Sequence, residues 1–325
     1  MTSILTLRRH GGLFTRAGAS SQKEQENASA SPRPEYEYPR LHRFEDLPVW
    51  YQDNPSIRSG YRPVSYSSQH CFHSWTFLHN ETINIYTHLI PALFSIFAQI
   101  TLQAMLTRHF PQASFQDRLI FSLNLIAGTA ALLLSSIYHT LMNHSFHISS
   151  LWLRIDYVGI LILILGSFFS GIYVGFYSEP MLCWTYWTMI ITLSLITAIL
   201  VIHPNLQGLS YRSLRTAAFV ATGMSGFAPV GHGLMMYGWE QMWVRSGMPF
   251  WLLEGLIYGI GAFFFATRFP ESRWPGKFDI FFSSHQIFHV LVVLGSVVHF
   301  AGVWDAYRWH YESFIHSEGY RQHWS

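Results

Sequence analysis

Ser283-Ser284-His285-Gln286-Ile287-Phe288-His289 leads straight into Val290-Leu291-Val292-Val293-Leu294-Gly295-Ser296-Val297-Val298, with no charged residue in the whole stretch. Two histidines four apart share one face of a helix, so both imidazoles can point at one ion or one partner. The apolar segment that holds them, 280–303, is long enough to cross a hydrocarbon core of about 30 Å. Polar side chains are costly at that depth, and neutral imidazole is a common metal donor. The pair is therefore read first as part of a metal site inside a membrane.

Working outward, six more stretches have the same character: 86–106, 119–142, 157–177, 182–202, 216–236 and 250–267. Half of the 325 residues are hydrophobic, 17% are aromatic and only 12% are charged, a balance that sets the chain apart from soluble two-domain proteins of this length. The fold class is thus an all-α, multi-pass integral membrane protein with a seven-transmembrane helix bundle. Spans of this length exclude a β-barrel. The host membrane is the plasma membrane or an endomembrane such as the endoplasmic reticulum.

Lys and Arg set the orientation, because positive residues stay on the cytoplasmic side. With the N-terminus inside, 15 of the 20 basic residues fall on that side and five on the other. The N-terminus is expected in the cytosol and the C-terminus outside or in a lumen. The division expected is a disordered cytosolic tail over 1–40, a membrane-proximal cytosolic segment over 41–80 rich in aromatics, the seven-span domain over 81–305, and a short tail over 306–325. The opening residues carry Arg8, Arg9 and Arg16 and no acidic residue before Glu24. They read as a plain cytosolic tail or as a mitochondrial presequence. Cys71 and Cys183 fall on opposite sides of the membrane, so no disulfide is expected between them. A net charge of +2 without a basic cluster gives no reason to expect a nucleic-acid partner, and nothing in the chain signals an oligomeric state.

In this topology His139 lies near the inner end of span two, Asp156 at the start of span three, and His285 and His289 at the start of span seven. Three imidazoles and a carboxylate therefore come to one depth in an orientation derived from Lys and Arg alone. Three His donors suit a Zn²⁺ ion with a fourth position left for water, the pattern of catalytic zinc. Asp156 is read as an acceptor for that water and a proton carrier, as a helix N-cap, or as both. Ser135, one turn before His139, can bond an imidazole, the water or a substrate carbonyl, or return to its own helix. Haem is set aside, because its axial ligands approach opposite faces and His285 and His289 share a side.

Other polar residues read more plainly. His88, His203, His232 and His299 are taken as hydrogen-bonded packing residues, and Glu254 as an interfacial residue near the outer end of span six. Glu81, Asn84 and His88 share one helix face and are read as a helix entrance held by polar contacts. The charged connection from Arg268 to Asp279 is a tight turn that fixes the start of the histidine helix.

Glu81-x-x-Asn84-x-x-x-His88, Ser135-x-x-x-His139 with Asp156-Tyr157-x-Gly159, and Pro275-Gly276-Lys277-Phe278-Asp279 followed by Ser284-His285-Gln286-x-x-His289 resemble the three motifs of the progestin and adipoQ receptor family. The family embraces the adiponectin receptors and haemolysin-III-related proteins, and the resemblance runs in order over 41–303. The chain resembles the family's fungal members, which are linked to zinc and sterol homeostasis. One departure is visible, since the family's Pro-Glu-Arg before the turn reads Pro270-Glu271-Ser272-Arg273 here. The resemblance implies seven helices with the N-terminus inside and a zinc ion near the cytoplasmic face. His139, His285 and His289 would be its ligands, Asp156 would reach it through water, and Ser135 would lie nearby. It also implies hydrolysis of a lipid amide, ceramide, from the surrounding membrane. The alternatives are a receptor for an extracellular ligand with structural zinc, and a metabolic regulator without turnover.

Overall fold

The computed structural model describes residues 40–323. The expected disordered tail and the presequence reading lie outside them. Among the described residues the regular structure is helical, and one isolated antiparallel bridge joins His42 and Tyr61.

Nine α-helices follow one another: α1 Ser68–His73, α2 Thr82–His109, α3 Phe115–Leu141, α4 Phe146–Gly175, α5 Pro180–Ile202, α6 Arg212–Met224, α7 Phe227–Arg245, α8 Met248–Thr267 and α9 Ser284–His323. Six of them, α2 to α5, α8 and α9, are long and apolar enough to cross a membrane. Their outer faces carry exposed Ile90, Phe94, Phe97, Trp184, Ile199 and Leu256, which suits a surface bathed in lipid tails and not in water.

The stretch expected as the fifth span is a broken crossing, split between α6 and α7. Pro229 supplies the reason: its ring clashes with the carbonyl of the residue four earlier, Ser225, and it has no N–H to donate. The break falls there, and the Ser225 hydroxyl bonds back to Thr222 O at 2.7 Å. α7 is interrupted once more at Gly238, whose φ of 74° and ψ of 171° are not helical, and the pieces together run from one end of the bundle to the other. At one end Arg212 donates to Phe265 O at the close of α8, and at the other Arg245 donates to Gly175 O at the close of α4, at 3.2 Å.

Helix ends follow local chemistry. Ser114 and Asp117 form a reciprocal capping box at the start of α3, and Pro180 opens α5, where a missing N–H costs nothing. Glu271 replaces a conventional cap for α9. Its buried carboxylate accepts from Ser284 N at 2.8 Å, from the Ser284 hydroxyl, and from Asn54 Nδ2 at 3.1 Å, placing negative charge at a helix N-terminus. The charged turn thus fixes the histidine helix, as the sequence suggests.

Packing is closest between α3 and α4 and between α8 and α9. Gly166 lies so tightly against Ala127 that a Cβ there would collide with it, an approach that small residues allow between helices in lipid. Residues 41–80 fold under one end of the bundle, here called the near end, around Leu47, Tyr51, Ile57 and Tyr61 with Met142 against them. A larger cluster at the far end joins Leu106, Phe110, Phe121, Val174, Val303 and Tyr307. Helix α9 continues through the far end to His323, taking up much of the segment read as a tail.

Candidate metal centre

His139 arrives from the last turn of α3, and His285 and His289 from the first turns of α9. Their ring centroids lie 4.7–5.0 Å apart, and one ligand atom from each falls within 4.8 Å of the others. This is a group that could hold a metal ion.

The neighbours of two of the three rings fix which nitrogen faces the centre. His139 Nδ1 lies 2.7 Å from Glu81 Oε2, so Nδ1 carries the proton and Nε2 is left with its lone pair. That Nε2 is buried and has no partner in the protein. His289 Nδ1 donates to Asn84 O at 3.1 Å, which frees its Nε2 in the same way. A carboxylate or carbonyl behind an imidazole is the usual support of a metal ligand. An orphaned, buried imidazole nitrogen beside two more imidazoles is what a bound metal would satisfy, so the residues fit the group.

Glu81 sits at the N-cap of α2, just outside the span. Burial works against its charge, but hydrogen bonds from His139 and Asn84 outweigh it and hold its carboxyl down to about 2. The entrance reading of this motif understated it: Glu81 and Asn84 orient two of the imidazoles from behind. His88, expected to be hydrogen-bonded, instead stacks on His289 at 3.7 Å between centroids, and neither of its ring nitrogens has a partner. The i, i+3, i+7 spacing of the motif placed all three on one face, and that was the available signal.

Arg62 is a further residue that only the fold reveals. Fully buried, it donates to His139 O at 2.6 Å, to Thr140 O at 3.0 Å and to Ser74 Oγ at 2.8 Å. It satisfies the free carbonyls at the C-terminal end of α3, where positive charge is favourable. The near-end segment thereby pins the helix that carries His139.

Asp156 and Ser135 open on the same cavity as His285 and His289, and Asp156 interacts with both His139 and Ser135. The cap reading of Asp156 does not survive, because α4 begins at Phe146 with Ser145 at its N-cap and Asp156 is well inside. It is Ser136, and not Ser135, whose hydroxyl returns to its own helix, at 2.9 Å from Leu132 O. Glu254 is also corrected: it is buried within the bundle and bonded to His299 at 2.8 Å, with no interfacial position. His299 and His232 are hydrogen-bonded packing residues as expected. Both cysteines are free and buried.

The cavity has a volume of about 1350 Å³ and runs from Trp50 and Arg212 at the near end, past the histidines, to Trp251 and His299. Most of its wall is apolar.

A family model described as haemolysin-III related matches residues 76–300. The chain belongs to the haemolysin-III-related family. Among similar proteins, the ADIPOR-like receptor IZH1 of Eremothecium gossypii is 37% identical over 286 residues, 85% of this chain and 89% of the relative. The ADIPOR-like receptor IZH2 of Saccharomyces cerevisiae is 35% identical, over 82% of this chain and 84% of its own length. Heptahelical transmembrane protein 3 of Arabidopsis thaliana is 33% identical over 80% of this chain and 85% of its own. The haemolysin-III-related segment starts just before α2 and ends within α9, so it takes in every residue of the histidine centre. The protein is a receptor-like, multi-pass member of this family, with six helices long and apolar enough to cross a membrane.

Proposed function

We propose that this protein is a zinc-dependent hydrolase of lipid amides, with ceramides as its substrate class. One observation carries the reading: three imidazoles group together, one with an orphaned Nε2, and two of them line, with Asp156 and Ser135, a largely apolar cavity large enough for a lipid. Three neutral nitrogen donors suit zinc with one position left open. Zinc, when bound there, polarises a carbonyl oxygen and acidifies water.

The residues of the chain do the remaining work. Glu81 and Asn84 O hold His139 and His289 in the tautomers that face the centre. Ser135 steadies the Asp156 carboxylate, whose other oxygen takes a proton from the attacking water and delivers it to the nitrogen of the departing amine. A C–O bond forms, the C–N bond breaks, and a fatty acid and an amine result. The apolar wall takes the acyl chain and keeps bulk water away. The near end faces the cytosol, from the 15-to-five division of basic residues.

A second reading is a receptor whose metal is structural and which answers an extracellular ligand; the receptor names of the relatives favour it. Purification in detergent, metal analysis and an assay of fatty-acid release from ceramide separate the two. One zinc per chain and zinc-dependent release are expected. Full zinc in a His285→Ala/His289→Ala variant would overturn the ligand set, and zinc-loaded protein no more active than metal-free protein would leave the receptor reading.

A further inference from the structure

Further along the same cavity, four helices contribute a second polar chain. Asn124 Nδ2 on α3 donates to Ser170 Oγ on α4 at 3.1 Å, Ser170 Oγ meets His299 Nε2 on α9 at 2.9 Å, and His299 Nδ1 meets Glu254 Oε2 on α8 at 2.8 Å. All four side chains are buried, and Glu254 and His299 line the cavity.

The order Ser-His-Glu invites a nucleophile, but the hydrogen bonds argue against one. Ser170 has a single hydroxyl proton, and Gly166 O at 2.8 Å and Ser167 O at 3.1 Å both compete for it with His299. Its oxygen also accepts from Asn124, so Ser170 is held within the chain and not presented for attack. Partners on both ring nitrogens of His299 and on one oxygen of Glu254 are what make these buried groups tolerable in a membrane.

Glu254 Oε2 is committed to His299. The other carboxylate oxygen has no hydrogen bond in the protein and is not among the buried polar atoms left without a partner, so it is open to the cavity. It is an acceptor in an otherwise apolar wall. A donor is what it can bind, and a hydroxyl on the lipid chain supplies one there without bringing a charge into the membrane.

We propose that Glu254, positioned by His299 and Ser170, is a distal subsite for a hydroxyl group on the chain of the bound lipid. His289 and His299 are ten residues apart on α9, which is about 15 Å of helix. An extended chain advances roughly 1.25 Å per carbon–carbon bond of about 1.5 Å, so it covers that distance in about twelve bonds. The substrate class is thus narrowed to lipid amides hydroxylated about twelve carbons from the carbonyl. This rests on the lipid-amide reading for where the headgroup lies.

The test uses purified full-length protein and a matched series of N-acyl sphingoid bases: a plain chain, one hydroxylated midway, and one hydroxylated at the distal position. Binding is read by competition with a fluorescent lipid amide, and hydrolysis is measured in parallel. Wild-type protein is expected to bind the distal hydroxyl roughly tenfold more tightly than the plain chain, the worth of one well-made hydrogen bond. The midway hydroxyl should give no gain. Glu254→Leu removes the acceptor altogether, so the preference should vanish while plain-chain binding persists. Equal binding of all three lipids by wild-type protein would overturn the subsite whether or not any is hydrolysed. Distal preference without hydrolysis would uphold it and reject the hydrolase instead. If Glu254→Leu fails to fold, the positional series on wild-type protein still decides.

Discussion

Glu81 Oε2 lies 2.7 Å from His139 Nδ1, although the two residues are 58 positions apart and belong to different helices. The contact sets which nitrogen of His139 faces the centre, and it places an ionised carboxylate where it raises the basicity of a ligand. The same helix end supplies Asn84 O to His289, so the start of α2 orients two imidazoles at once.

Glu81→Ala should accordingly weaken zinc binding by about 10–100-fold, the usual effect of removing such a support. Glu81→Gln keeps an acceptor for Nδ1–H and should lose less. Competition with a chromophoric chelator measures both. An unchanged zinc affinity in Glu81→Ala would mean that the contact is merely structural.

Arg62 yields a stability prediction. Arg62→Met removes all donors to His139 O, Thr140 O and Ser74 Oγ in a buried site, and each hydrogen bond to a charged group contributes about 1.5–3 kcal/mol. A loss of about 2–4 kcal/mol is expected, with some recovery as the chain relaxes. Thermal unfolding in detergent should show a lower midpoint. Added zinc should restore part of it, because a ligand that binds only the folded state stabilises it.

How far the sequence carries differs from residue to residue. His285 and His289 were readable because four-residue spacing on an apolar helix is a local pattern, and His139 because charge counting put it at the same depth. Glu81 as an orienter of His139 was not, since its spacing to Asn84 and His88 describes one helix face and says nothing about which distant imidazole that face meets. Glu254 reads as interfacial in the sequence because position along a span gives depth but no direction, and its partner His299 is 45 residues away on α9. Pro229 could have warned that the fifth span is broken, as proline inside a helix removes a donor and clashes with the preceding turn. Apolar composition alone hid it.

Topology gives a prediction independent of metal. With the near end in the cytosol, a protease added to sealed inside-out vesicles should remove an N-terminal tag and leave a C-terminal tag intact. The expectation comes from the division of basic residues and from an odd number of crossings. Cleavage of both tags on one side would require an even number, and the α6–α7 pair would then fail to cross.

The last prediction concerns Asp156, which faces the cavity beside His139 and Ser135. A carboxylate in that position is expensive unless it has a task, and the task proposed is to carry a proton from water to the departing amine. Asp156→Asn keeps the size and hydrogen-bonding capacity of the side chain but cannot hold that proton. The variant should retain its fold and most of its zinc while losing fatty-acid release by about 10²-fold or more, the lower range of general acid–base contributions. His139→Ala, in contrast, should lose metal and turnover together, because it removes a donor to the centre. Ser135→Ala should lie between them, with zinc retained and turnover reduced less than in Asp156→Asn, since Ser135 acts only by steadying the carboxylate. Measuring zinc content and ceramide hydrolysis on the same three preparations tests the order directly. Wild-type turnover in Asp156→Asn would remove the proton-carrier role, leaving the three histidines as a metal centre that works without it.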